Sequence, residues 1–128
     1  KGFTVAGVAP EIMGVGPTVA IPKLLKRTGH KMSDFKVIEL NEAFATQSLV
    51  VIDETGMKPE IVNPNGGAIA IGHPLGVSGA RIMHTAALEL HKKNEKYLWH
   101  LNHGNLVKMS YNIEQIIKFL FIYEMNYL

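Results

Sequence analysis

Asn65-Gly66-Gly67-Ala68-Ile69-Ala70-Ile71-Gly72-His73-Pro74-Leu75-Gly76-Val77-Ser78-Gly79-Ala80-Arg81 is the stretch on which the reading of this chain turns. No Gly-Lys-Ser/Thr closes it, as a phosphate-cradling Walker loop would require. Nor does it match the Gly-x-Gly-x-x-Gly dinucleotide pattern in its strand-to-helix context. What remains is a histidine held between Gly72 and Pro74, on a turn that feeds a helix at Gly76. Glycine permits unusual dihedrals and the close approach of another backbone, and Pro74 limits the freedom of the turn. A rigidly presented imidazole suits a general base, because imidazole ordinarily titrates near neutrality.

Working outward, the pattern from Val77 to Lys93 predicts a helix. Ile82, Ala86, Leu88 and Leu90 are its apolar positions, and Lys92 and Lys93 lie at the end where the helix dipole favours cations. Upstream, Phe35 to Leu40 reads as a strand, and Glu42 to Glu54 as a helix ending at Gly56. Between them stands Asn41-Glu42-Ala43-Phe44-Ala45. Asn41 either caps that helix through its side-chain oxygen or holds a polar group or water at the strand's C-terminal edge, where open α/β sheets bind ligands. Further upstream, Phe3 to Val8 forms an apolar run closed by Pro10. Met13-Gly14-Val15-Gly16-Pro17 turns into a helix carrying Val19, Ile21, Leu24 and Leu25, which Gly29 caps. Strand, helix, strand, helix, glycine loop and helix is the order of a layered α/β domain.

Composition bounds the function. The 128 residues suit one domain, and 47% hydrophobic with 19% charged residues is an ordinary globular balance. A net charge of +2, with basic residues only in short clusters such as Lys23, Lys26, Arg27 and no interleaved aromatics, argues against nucleic acid. No run reaches the roughly 18 apolar residues of a membrane span. The absence of cysteine excludes disulfides, thiolate metal sites and cysteine catalysis by this chain. Of the six histidines, His84 and His91 lie on one helix as solvent-facing or core-edge residues, and His100 and His103 form a lone pair, so no zinc spacing emerges. The first residue is Lys1 rather than methionine, which reads as a fragment or a processed piece.

Asn-Glu-Ala-Phe at 41–44, followed by Gly-Gly-Ala-Ile-Ala-x-Gly-His-Pro-x-Gly-x-Ser-Gly-Ala-Arg at 66–81, resembles the thiolase signature in order and separation. Met13-Gly14-x-Gly16-Pro17 also resembles that family's turn before the first helix of its C-terminal domain. The resemblance covers residues 1 to about 97. It implies a thiolase-like layered half, a mixed sheet with helices on its faces. It also implies acyl transfer from 3-ketoacyl-CoA or acetyl-CoA, by thiolysis or Claisen condensation, with the CoA thioester as substrate and no separate cofactor. In such an enzyme a cysteine of the N-terminal half is acylated. By resemblance His73 activates that cysteine and, with water held by Asn41, stabilises the thioester oxyanion. A second cysteine, in a Cys-x-Gly turn near the C-terminus, moves the substrate's α-proton. Gly67 and Gly72 would let the backbone lie near the acyl group, or serve turn geometry alone. The implied partners are the thiolase N-terminal half and further copies in a homodimer or homotetramer. Family members occur in cytoplasm, mitochondrion and peroxisome.

After Tyr97 the chain departs from the family. A loose alignment sets Asn102 where the second cysteine belongs, and asparagine neither forms a thiolate nor accepts a proton near neutral pH. The glycine cluster and the recognisable last strand are missing, so the sheet is expected to be incomplete at its C-terminal strands. Residues 98–128 read as a divergent tail, from a frameshift or a genuine alternative C-terminus. Within it Ile113, Ile116, Ile117, Leu120 and Phe121 are spaced for one face of an amphipathic helix. Two functions stand: a thiolase fragment inactive alone, and a non-catalytic thiolase-like module that binds acyl-CoA or a partner.

Overall fold

The computed structural model describes residues 2–95, 97–102 and 106–111. Strand β1 (Gly2–Val5) leads through a 3-10 turn at Pro10–Val15 into helix α1 (Gly16–Thr28). Pro17 sits in the first turn of α1, where its missing N–H costs nothing. Gly29 ends the helix in the left-handed conformation (φ 72°), its N–H donating to Leu25 O at 2.9 Å. A second 3-10 turn, Met32–Asp34, precedes β2 (Val37–Leu40), which is followed by α2 (Ala45–Thr55). Then come a 3-10 turn at Pro59–Ile61, the one-turn helix α3 (Ala68–Ile71), α4 (Ser78–Lys92), β3 (Tyr97–Asn102) and β4 (Leu106–Tyr111).

The strands form one mixed sheet in the order β1-β4-β3-β2. β2 and β3 run parallel, with Val37 opposite Leu98 and Leu40 opposite Leu101, while β4 is antiparallel to both of its neighbours. Parallel neighbours need a crossover, and α4 supplies it, lying against both β2 and β3.

β2 is the strand that sets the layers. All four of its residues are buried, and their alternation sends them to opposite faces. Ile38 and Leu40 join Ala20, Ile21 and Leu24 of α1, Val51 of α2, and Phe35 and Met57 in the larger core. Val37 packs on the other face with Ala86, Ala87 and Leu90 of α4. Helices therefore cover both faces of this strand, as the layered reading expected.

Three expectations need correction. The helix after β2 starts at Ala45 rather than Glu42, because Ala43 N–H turns back to Asn41 O (3.2 Å) and delays the first helical residue. The glycine-rich stretch is not loop throughout, since Ala68–Ile71 forms one helical turn. And the sheet, expected to lack its last strand, contains β4 beside β3, the latter lying where Tyr97 to Leu101 reads as a strand. β4 lies within the part read as divergent tail, yet it pairs with β3 from Tyr97↔Tyr111 to Asn102↔Leu106 and with β1. Backbone hydrogen bonding does not depend on which side chains are present, so a changed sequence can still fill a place in the sheet. The helical stripe from Ile113 to Phe121, and His103, lie outside the described residues.

Because Ile38 has 0% exposure at the centre of the larger core, Ile38→Ala is expected to cost about 2–5 kcal/mol of stability. Leu88→Ala, on the exposed face of α4, is expected to cost less than about 0.5 kcal/mol. Paired denaturant unfolding curves check the contrast.

Candidate active site

The site is built where β2 ends. Among the described residues its outer edge has no strand beside it, and the chain closes that edge with a bridge from Val62 to Ile38 and with one asparagine. Asn63 N–H donates to Ile38 O (2.8 Å). Its side-chain oxygen accepts from Leu40 N–H (2.7 Å), and its amide donates to Leu40 O (2.9 Å). The side chain thus satisfies the donor and the acceptor that a neighbouring strand would otherwise take. Asn63 holds a positive φ of 46°, which asparagine tolerates better than most residues.

The same amide reaches Glu42 Oε1 at 2.8 Å, and Glu42 Oε2 accepts from Ile69 N–H at 2.8 Å. Glu42 therefore ties the Asn-Glu-Ala-Phe segment to the first turn of α3. Gly67 is buried against this pair, and a Cβ there would collide with the Glu42 carboxylate and the Asn63 amide. Its lack of a side chain has a packing reason. From the other side, Asn65 Nδ2 donates to Glu89 Oε2 on α4 (3.0 Å), and Lys93 Nζ lies 3.2 Å from Glu89 Oε1. The Asn65 hydrogen bond and then Lys93 hold the Glu89 carboxyl below its usual range.

Asn41 does not cap α2, whose N-cap position is Phe44 with no side-chain cap. Its side chain is 5% exposed, and neither its oxygen nor its nitrogen has a hydrogen-bond partner among the described residues. A buried amide without partners costs free energy, about 1–3 kcal/mol, so this one calls for a polar group or water.

Gly72 adopts φ 87° and ψ 173°, a conformation essentially confined to glycine, although a Cβ there would meet nothing within 4 Å. Dihedral angle, not crowding, demands glycine at this position. Arg81 Nη1 donates to Gly72 O at 2.5 Å, pinning the backbone just before His73. His73 is exposed, and its Nδ1 lies 2.6 Å from Ser78 Oγ at the start of α4. Of the residues that the sequence singles out, Gly72 and His73 lie on the loop before α4, Asn41 directly precedes Glu42, and Gly67 packs against Glu42. Sequence reasoning missed Asn63, Ser78, Arg81 and the bridging role of Glu42, all of which act through contacts that spacing does not reveal. Glu42, Ser78 and Arg81 stand within the two motifs, and that placement is the signal the sequence offers for them.

One buried carboxyl lies under the site. Glu39 is 2% exposed, on the face of β2 turned toward α4, and its Oε1 has no partner among the described residues. Burial, opposed by Arg81 and reinforced by Glu42 and Glu89, pushes its pKa up from 4.5 to about 7.

Residues 1–101 match the family model described as thiolase, C-terminal domain, and the chain belongs to the thiolase family. It is 57% identical over 93 residues to a beta-ketoadipyl-CoA thiolase of Pseudomonas putida, covering 71% of this chain and 23% of that one. It is 48% identical over 97 residues to a 3-ketoacyl-CoA thiolase of Bacillus subtilis, covering 76% of this chain and 25% of that one. The crystal structure of human mitochondrial 3-ketoacyl-CoA thiolase superposes with a TM-score of 0.77 at 40% identity, over 87% of this chain and 29% of that one. The same human enzyme has been solved in complex with CoA. The chain thus spans about a quarter of the length of the curated relatives it matches. It contains no cysteine. Among the described residues, no helix is long and apolar enough to cross a membrane.

Between pH 4.5 and 7 the native chain holds a proton on Glu39 that the unfolded chain has released, so its contribution to stability is intact at acid pH and is lost as pH rises toward 7. Glu39→Gln is expected to match the parent near pH 4 and to exceed it by on the order of 2 kcal/mol at pH 8. Unfolding curves across that range check this, and a pH-independent difference would refute it.

Proposed function

We propose that this chain is the histidine-bearing C-terminal portion of a thiolase, moving acyl groups between 3-ketoacyl-CoA or acetyl-CoA and CoA by thiolysis or Claisen condensation. The observation that carries the reading is the fastening of the Gly72-His73 loop to the strand end where the amide of Asn41 lies buried without a protein partner among the described residues. In this reading His73 takes the proton of a nucleophilic cysteine supplied from outside the chain. Asn41 orders the water that, with His73, stabilises the oxyanion of the thioester, a task suited to fixed donors in a desolvated site. Gly67 and Gly72 leave the backbone bare where the acyl group would lie.

The surface supports an N-terminal half and further subunits as partners. Phe44, Ile69, Ile71, Leu75 and Val77 are all more than half exposed, with Leu75 at 90%, and all but Phe44 lie on the segment 69–77 that bears His73. Apolar residues in such number around a site mark a surface that another polypeptide covers. A second reading, a non-catalytic module that binds acyl-CoA or a partner, is favoured by the lack of cysteine and by Asn102, not a thiol, at the end of β3.

Pairing the chain with the cysteine-bearing N-terminal half of the Bacillus relative tests the first reading. Acetyl-CoA is expected to release CoA as the cysteine is acylated, and His73→Ala is expected to slow that release by about 10²–10⁴-fold. Condensation is expected only once Asn102→Cys restores a second thiol. Acylation indifferent to His73 would favour the non-catalytic module. By itself the chain is expected to self-associate through its bare apolar surface. A monomer by light scattering that melts cooperatively would contradict this.

A further inference from the structure

We infer that Ser78 is the positioning residue of His73, holding the imidazole by Nδ1 in the tautomer that makes Nε2 the basic nitrogen. Ser78 opens α4 and is 3% exposed, so its hydroxyl is fixed by the helix rather than by solvent. Two contacts meet at that hydroxyl. His73 Nδ1 lies 2.6 Å away, and Pro74 O lies 3.4 Å away. A serine hydroxyl has one hydrogen to give and lone pairs to receive. Both contacts are satisfied together only when the hydroxyl hydrogen points to Pro74 O and the oxygen accepts from Nδ1–H. The reverse arrangement, O–H donating to Nδ1, forfeits the contact with Pro74.

The chosen arrangement also survives proton transfer. When Nε2 takes a proton from a thiol, leaving a thiolate, the ring becomes an imidazolium whose Nδ1–H still donates to the same oxygen. The Ser78 hydroxyl does not need to turn. The loop is built to the same end. Gly72, in its glycine-only conformation, brings His73 back over the start of α4, and Arg81 holds Gly72 O from the first turns of that helix. Serine, arginine and the histidine loop are thereby fixed to one rigid element, the condition for orienting a base. The catalytic use of this tautomer rests on the functional proposal above. The tautomer itself does not.

The test is nitrogen NMR of the full chain labelled with ¹⁵N-histidine, by magic-angle spinning so that self-association does not interfere. The His73 signals are assigned by their loss in His73→Gln. At a pH where the ring is neutral, His73 is expected to show a protonated Nδ1 and an unprotonated Nε2, the reverse of the form that free imidazole side chains favour in water. Ser78→Ala is expected to return the ring to the Nε2-protonated form, and Ser78→Thr, which keeps the hydroxyl, to retain the parent pattern. A parent protonated at Nε2 overturns the proposal without any variant. So does a Ser78→Ala protein of parent-like circular dichroism whose His73 tautomer is unchanged. If the tautomer is as expected but acylation does not depend on His73, the positioning role stands and the thiolase reading falls.

Discussion

The site depends on the side chain of Asn63 pairing with both backbone polar groups of Leu40 at the end of an edge strand. An edge leaves N–H and C=O groups unpaired, and close to the core such groups need partners. Here a single amide supplies a donor and an acceptor in the geometry of a strand, then spends its second hydrogen on Glu42. Glu42 in turn reaches Ile69, so the strand end, the turn carrying Asn41 and the glycine loop become one hydrogen-bonded unit. Gly67 is required because the unit leaves no room for a side chain at its centre.

That unit is surrounded by carboxylates in different states. Glu89 is paired with Asn65 and Lys93 and is held ionised, whereas Glu39 lies deeper and is pushed toward its neutral form. Arg81 bears on both the chemistry and the charge, donating to Gly72 O while opposing the rise in the Glu39 pKa. The loop carrying His73 is thus anchored by the Glu42 carboxylate, the Ser78 hydroxyl and the Arg81 guanidinium. Its anchoring does not rely on surface ion pairs, which salt would weaken.

The thiols of the thiolase family are what this chain lacks. The chain carries the Asn-Glu-Ala-Phe and glycine–histidine motifs and no cysteine. Their framework is intact, since relatives of 48–57% identity extend over residues that include both motifs. β3 and β4 take their places in the sheet, and β4 lies beyond the residues that match the family model. Strand pairing tolerates a change of sequence because it is made by the backbone.

The sequence by itself determined the elements with strong local signals: α1 between Pro17 and Gly29, the buried run at Val37–Leu40, the helix after Gly76, and His73 between a glycine and a proline. Each is set by propensity, capping or steric limits that act over a few residues. It also determined that this chain itself supplies no cysteine. Where α2 begins, that Asn41 is left without a cap to make, that Ala68–Ile71 coils into a turn, and that β4 exists were decided by the tertiary structure. So were the contacts of Asn63 with Leu40, Glu39 with its desolvated surroundings, and Ser78 with His73. The first of these spans 23 positions of sequence, and pairings of that range arise only when the layers close, because burial makes an unpaired polar group costly and forces each to find its partner.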